Sequence, residues 1–126
     1  MPLVRIDIRR GKSPAYKKAI CDGVYRALRE TFTVPEEDRF MVVNEHADGE
    51  FVYSRNYLDI ERGEGFVMIQ ITVSNTRNVE QKQALYAKIV SLLADDPGLR
   101  PQDVFINLLE VAKENWSFGN GIAQYV

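Results

Sequence analysis

The sequence has one cysteine, one histidine and one tryptophan in 126 residues, and no long apolar run. A lone Cys21 excludes an internal disulfide and any cysteine-rich zinc site. No metal centre is expected. Neither sign of charge is in excess: sixteen basic residues stand against eighteen acidic ones. That balance leaves no electrostatic footprint for nucleic acid or an anionic membrane. The first residues carry Arg5, Asp7, Arg9 and Arg10 instead of an apolar signal core, and no segment approaches the roughly 20 apolar residues needed to span a bilayer. A soluble, cytoplasmic chain is the expectation. Its length and apolar content suit one domain, 1–126, with one core.

What is there is a repeat. Val4, Ile6 and Ile8 alternate with Arg5, Asp7 and Arg9, the period of a half-buried strand. Ser13 is placed to cap a helix, Pro14 suits its first position, and Ile20, Val24, Ala27 and Leu28 recur at helical spacing, predicting a helix over 14–32. Val34-Pro35 ends it, and Phe40 to Val43 has strand length. The order returns as a strand over Phe66 to Val73, an N-cap at Asn78, a stripe of Leu85, Ile89, Leu92 and Leu93, a stop at Pro97-Gly98, and a strand over Val104 to Val111. At a constant offset of 65 residues Ile6 meets Ile71, Ala19 meets Ala84, Val24 meets Ile89, Leu28 meets Leu93, Phe40 meets Phe105 and Glu45 meets Glu110. Shared periodicity alone would tolerate several registers, so the chain reads as a duplicated β-α-β unit, about 2–46 and 66–111.

The predicted fold class is therefore α+β: two fused β-α-β units forming a four-stranded sheet with both helices on one face. The other face also carries apolar residues from each strand, so association with further subunits is expected to bury it. Beyond His46, the stretch from Ala47 to Gly65, with Phe51, Tyr53 and Tyr57, has no clear period and reads as a long loop between the units, a kind of segment that is often functional.

Three segments carry a resemblance: Met1-Pro2-Leu3 at the start, Pro35-Glu36-Glu37-Asp38-Arg39-Phe40 at the end of the first unit, and Trp116-Ser117-Phe118-Gly119 near the close. Together they resemble the malonate semialdehyde decarboxylases, a family of the tautomerase superfamily. The resemblance implies a β-α-β fold and a catalytic amino-terminal proline freed by removal of Met1. It also implies a homotrimer, no cofactor and a small carboxylate substrate. Chemically, a proline at the chain start is a secondary amine in a rigid ring, and an α-amino group titrates ordinarily near 7.7 to 8.0, so it can serve as acid or base. Taken alone, Pro2 could equally begin an edge strand, where a missing N–H is harmless. Its repeat equivalent is Val67, so the second unit has no such amine.

The resemblance assigns further roles. Asp38 matches an acidic residue that holds the amine or activates water, although Asp103 at the equivalent place allows a simple turn cap for both. Arg77 matches an arginine that pairs with the substrate carboxylate, a partner suited to a planar guanidinium. Some relatives carry two arginines here, separated by one residue, where this chain has Asn75 and Arg77; Arg39 is the next candidate cation. Trp116, Phe118 and Tyr125 match aromatics that wall the pocket, with Asn120-Gly121 as a tight turn in a carboxy-terminal hairpin. His46 is expected at a structural or rim position, and Cys21 in the core. The leading function is decarboxylation of a 3-oxo acid such as malonate semialdehyde. The alternatives are keto-enol tautomerisation or hydration of a 2-oxo acid, and a non-catalytic oligomeric binding protein in which a retained Met1 blocks Pro2.

Overall fold

The computed structural model describes residues 2–126; Met1, and with it the expectation that Met1 is removed, lies outside the described residues. Strand β1 (Leu3–Arg9) leads into helix α1 (Pro14–Phe32) and strand β2 (Phe40–His46); after a loop, β3 (Val67–Ser74) leads into α2 (Val79–Asp95) and β4 (Val104–Val111). The sheet order is β2-β1-β3-β4. Each unit pairs its own strands in parallel, and the units join through antiparallel β1 and β3. In that central ladder Arg5 faces Gln70, its own equivalent at the offset of 65, so a pseudo-twofold axis passes between them.

The duplication extends to local chemistry. Ser13 accepts the Tyr16 N–H to cap α1, and Asn78, at the same place in the second unit, forms a capping box with Gln81. Lys17 pairs with Glu45 at 2.6 Å, and Lys82 with Glu110 at 2.8 Å, each tying a helix to the following strand at equivalent positions. The core lies between sheet and helices: Val4, Ile6, Ile8, Ile69, Ile71 and Val73 meet Ile20, Val24, Leu28, Leu85, Ile89 and Leu93, all essentially inaccessible. The helices approach closely at Gly23, where any Cβ would come within 2.7 Å of Leu93 Cδ2.

The opposite face is open. Phe40 and Val42 on β2, and Phe105 and Leu109 on β4, are each 40 to 50% exposed. Polar Arg5, Gln70 and Asn107 alternate into the same face, so its apolar area is concentrated on the outer strands. The loop from 47 to 65 is ordered by its own bonds: Tyr53 hydroxyl donates to Gly63 carbonyl at 2.7 Å, and Arg62 Nη1 donates to the carbonyls of Ser54, Tyr57 and Ile60. The reversal expected at Asn120-Gly121 is present, with Ile122 N–H donating to Gly119 carbonyl and both central residues at positive φ, the signature of a type I′ turn. Its arms are joined by Gln124, whose side chain bonds Phe118 N–H and Gly119 carbonyl, in place of a strand ladder.

Candidate active site

Strand directions decide where the site falls. The starts of β1 and β2 and the ends of β3 and β4 lie at one end of the sheet, because Leu3 pairs with both Phe40 and Thr72, and Ser74 pairs with Val111. Pro2 is buried at this end and lines a cavity of about 230 Å³ with Leu3, Phe40, Trp116, Ser117 and Phe118. Trp116 and Phe118 stack nearly parallel, with ring centres 5.3 Å apart, and Phe40 lies 6.3 Å from Phe118.

Phe40 and Phe118 also line a second hollow, of about 310 Å³, with Pro35, Glu37, Asp38 and Tyr125. Asp38 is half-buried in a short turn, its N–H donating to Pro35 carbonyl at 3.1 Å. The turn is tied to α1 on both sides: Tyr25 hydroxyl donates to Glu36 carbonyl, and Arg39 pairs with Asp22 at 2.6 Å while lying 4.4 Å over the Tyr25 ring. Burial, and secondarily the negative charge of Asp38, pushes the Tyr125 hydroxyl above its ordinary pKa. Tyr125 therefore stays protonated beside the carboxylate.

Arg77 lies between the end of β3 and the start of α2, but neither hollow is lined by it. Its guanidinium donates to Phe32 carbonyl at 2.6 Å, lies 4.8 Å over the Phe32 ring and donates to Thr76 Oγ1. Two of its five N–H groups are so engaged, leaving donors for a carboxylate. Asn75 is exposed, and its backbone N–H bonds Val111 carbonyl. Of the expected residues, Pro2, Trp116 and Phe118 share one cavity, Asp38 and Tyr125 occupy its neighbour, and Arg77 and Asn75 stand outside both. Leu3, Phe40 and Ser117 were missed, although an exposed phenylalanine opening β2 was a readable signal.

The repeat holds a counterpart of this site. A cavity of about 110 Å³ is lined by Tyr53, Met68 and Phe105, the offset equivalents of Phe118, Leu3 and Phe40. Val67, the equivalent of Pro2, is a mid-chain amide, and the Phe66 and Tyr53 rings stack there at 4.1 Å. Asp103, the equivalent of Asp38, is 3% exposed and accepts the Gly63 N–H at 2.7 Å. One half of the duplication thus presents an amine position and a carboxylate to adjoining hollows, while the other keeps a smaller cavity lined largely by aromatics.

His46 pairs with Asp7 at 2.7 Å and stacks on Phe51 at the far end of the sheet from Pro2. Cys21 packs against the core, and burial raises its thiol pKa. Among the described residues, no three His, Cys, Asp or Glu side chains come together as a metal-ligand set. No helix among them is long and apolar enough to cross a membrane.

Comparison with known proteins gives this arrangement a family. Two family models, each described as "Tautomerase enzyme", match residues 38–119 and 2–58. The Bacillus subtilis (strain 168) protein "Probable tautomerase YusQ" is 38% identical over all of this chain and 99% of its own length. A crystal structure of malonate semialdehyde decarboxylase, studied for decarboxylase and hydratase activities, superposes with TM-score 0.91 at 32% identity, covering 98% of this chain and 95% of that one. FG41 malonate semialdehyde decarboxylase inhibited by 3-bromopropiolate gives TM-score 0.91 at 36% identity, covering 98% and 93%. With its duplicated β-α-β fold and a proline at the mouth of one sheet end, the chain belongs to the tautomerase superfamily.

Proposed function

We propose that this protein is an amino-terminal-proline enzyme that decarboxylates a small 3-oxo acid such as malonate semialdehyde. The observation that carries the reading is the burial of Pro2 in a hollow walled by Phe40, Trp116 and Phe118, with Asp38 in the adjoining one. Similarity to two malonate semialdehyde decarboxylases over nearly the whole chain supports it.

With Met1 removed, the Pro2 nitrogen becomes a secondary amine. Protonated, it polarises the substrate carbonyl; as the free base, it condenses with that carbonyl, losing water to form an iminium. Either way the electron pair of the breaking C–C bond moves toward the activated carbonyl carbon and carbon dioxide leaves; protonation at carbon turns the enol into the aldehyde, or turns the enamine into an iminium that takes up water to release the aldehyde and restore the free amine. Arg77 holds the substrate carboxylate through its uncommitted donors. The apolar walls exclude water and strengthen the electrostatics at the amine. Asp38 holds a proton or a water for the last step.

A second reading has its own observation. Arg77 is turned to Phe32 and the Pro2 hollow is mostly apolar, which suits keto-enol tautomerisation of an aromatic 2-oxo acid with Pro2 as base. Hydration through Asp38 is the third outcome. One experiment separates these from a blocked scaffold. Intact mass first establishes which fraction of the protein lacks Met1. That fraction is then assayed for carbon dioxide release from malonate semialdehyde and for ketonisation of an aromatic enol acid. Pro2→Ala, which keeps an amine but loses the ring, should cost roughly 10²- to 10⁴-fold in kcat on the true substrate. Equal turnover by Met1-bearing and Met1-free protein would refute the amine mechanism.

A further inference from the structure

Two polar side chains are buried among the described residues, Asp103 and Ser74. Asp103 is accounted for by the Gly63 N–H. Ser74 is different. It ends β3, where Val67, Ile69, Ile71 and Val73 face the helices, so Ser74 belongs to the open face with Met68, Gln70 and Thr72. Full burial on an open face requires a cover. Trp116 supplies it, donating its indole N–H to Ser74 Oγ at 3.1 Å.

The place of this pair matters. The antiparallel ladder ends at Leu3↔Thr72, so Ser74, two residues further along β3, lies at the same end of the sheet as Pro2, which precedes β1. Trp116 follows the short turn Lys113–Asn115 and belongs to no strand, so no ladder fixes its direction. Its orientation depends on the bond to Ser74 on one side and the stack with Phe118 on the other, and it lines the Pro2 cavity. A half-buried indole N–H without an acceptor would turn toward one, taking the wall with it.

We propose that Ser74 is a positioning residue of the Pro2 site, acting through Trp116. Its hydroxyl fixes the indole as the wall that confines the cavity to a short-chain oxo acid. The substrate part of this inference rests on the function proposed above; the part concerning the indole does not. Loss of the hydroxyl frees the wall, so a small substrate is held less well while the chemistry at Pro2 persists once it is seated.

Trp116 is the only tryptophan, so fluorescence reports that side chain alone. Ser74→Ala, verified as folded by circular dichroism, should shift the emission maximum and raise the acrylamide quenching constant. On malonate semialdehyde it should raise KM about five- to tenfold, the equivalent of one neutral hydrogen bond, with kcat little changed. In a Trp116→Phe background, which has no indole N–H to hold, the same Ser74→Ala change should leave KM unaltered. Unchanged emission and quenching in folded Ser74→Ala would overturn the inference, as would a KM increase that persists undiminished with Trp116→Phe. If the parent protein turned over neither class of oxo acid, the proposed function would fall, and the fluorescence arm would still decide whether Ser74 holds the indole.

Discussion

Arg77 and Phe32 are joined twice, by a 2.6 Å hydrogen bond from Nη2 to the Phe32 carbonyl and by a guanidinium 4.8 Å from the Phe32 ring centre. Phe32 is the last residue of α1, where carbonyls lack intrahelical partners and the dipole favours a cation. Arg77 also precedes the start of α2, where the dipole disfavours one. The contact with Phe32 therefore offsets the adverse position and links two helix ends beside the Pro2 site.

Arg77→Ala should accordingly have two separable effects. Loss of a charge-assisted bond at a helix end should cost about 1 to 2 kcal/mol of stability, read from urea midpoints. Loss of the carboxylate partner should lower kcat/KM for a 3-oxo acid by about one to two orders of magnitude. Arg77→Lys should restore part of each, having charge without the planar fork. A stability loss with unchanged decarboxylation would leave Arg77 only the helix-bridging role and make Asn75 or Arg39 the next residue to test.

Asp38 and Asp103 stand at equivalent positions of the repeat in different surroundings, one half-buried at a hollow, the other 3% exposed on Gly63 N–H. Their substitutions should separate cleanly. Asp103→Ala leaves the part-buried Gly63 N–H without its acceptor and should cost about 1 to 3 kcal/mol in urea unfolding with kcat/KM unchanged at temperatures where the protein stays folded. Asp38→Asn should reduce turnover, most strongly for hydration, by more than any change in its unfolding midpoint accounts for. The reverse pattern would assign catalysis to the wrong half of the duplication.

The two aspartates also mark how far the sequence could be read. Strand and helix periods, the Ser13 and Asn78 caps and the single repeat register are local or translational signals, and the elements follow them to within a residue or two except at β2, which runs on to His46. The placement of Pro2 with Trp116 and Phe118 was legible through resemblance. The direction of Arg77 was not, because it depends on a carbonyl 45 residues away that no pattern in the chain advertises. Ser74 was equally silent: its repeat equivalent is Arg9, and a serine at a strand end reveals nothing until the indole above it is seen.

The open face predicts assembly. Val42, Phe105 and Leu109 are 40 to 45% exposed on the outer strands, and burying a large apolar side chain is worth about 1.5 to 3 kcal/mol. Light scattering at micromolar concentration should give three times the 14.4 kDa of one chain. Val42→Glu, which places a charge in that face without touching the Pro2 cavity, should shift the mass toward the monomer. A monomeric parent protein would remove the trimer, and with it any part for a neighbouring chain in closing the site.

Acid should loosen the turn that carries Asp38 before it unfolds the core. Asp22 has its pKa lowered, first by the hydrogen bond from Arg39 and then by that from Lys18; Glu45 is lowered by Lys17 and the Gly11 N–H, and Glu64 by Arg55 and Arg9. A carboxyl whose pKa is lower folded than unfolded stabilises the fold fully above its unfolded value and loses that contribution as pH falls through the folded one. The unfolded chain takes up protons first, so stability must fall on acidification below the ordinary carboxylate range, near 4. These pairs are partly or fully exposed, so each contribution is small and weakened by salt. Urea midpoints measured from neutral pH downward should decline through this range, less steeply in Asp22→Asn. Because Asp22 holds Arg39 beside the Asp38 turn, catalytic activity in folded protein should decline over the same interval, and that decline should be shallower in Asp22→Asn, whose activity is already reduced at neutral pH. Stability rising on acidification, or an Asp22→Asn variant as steep as its parent, would rule out Asp22–Arg39 as the acid-sensitive tie.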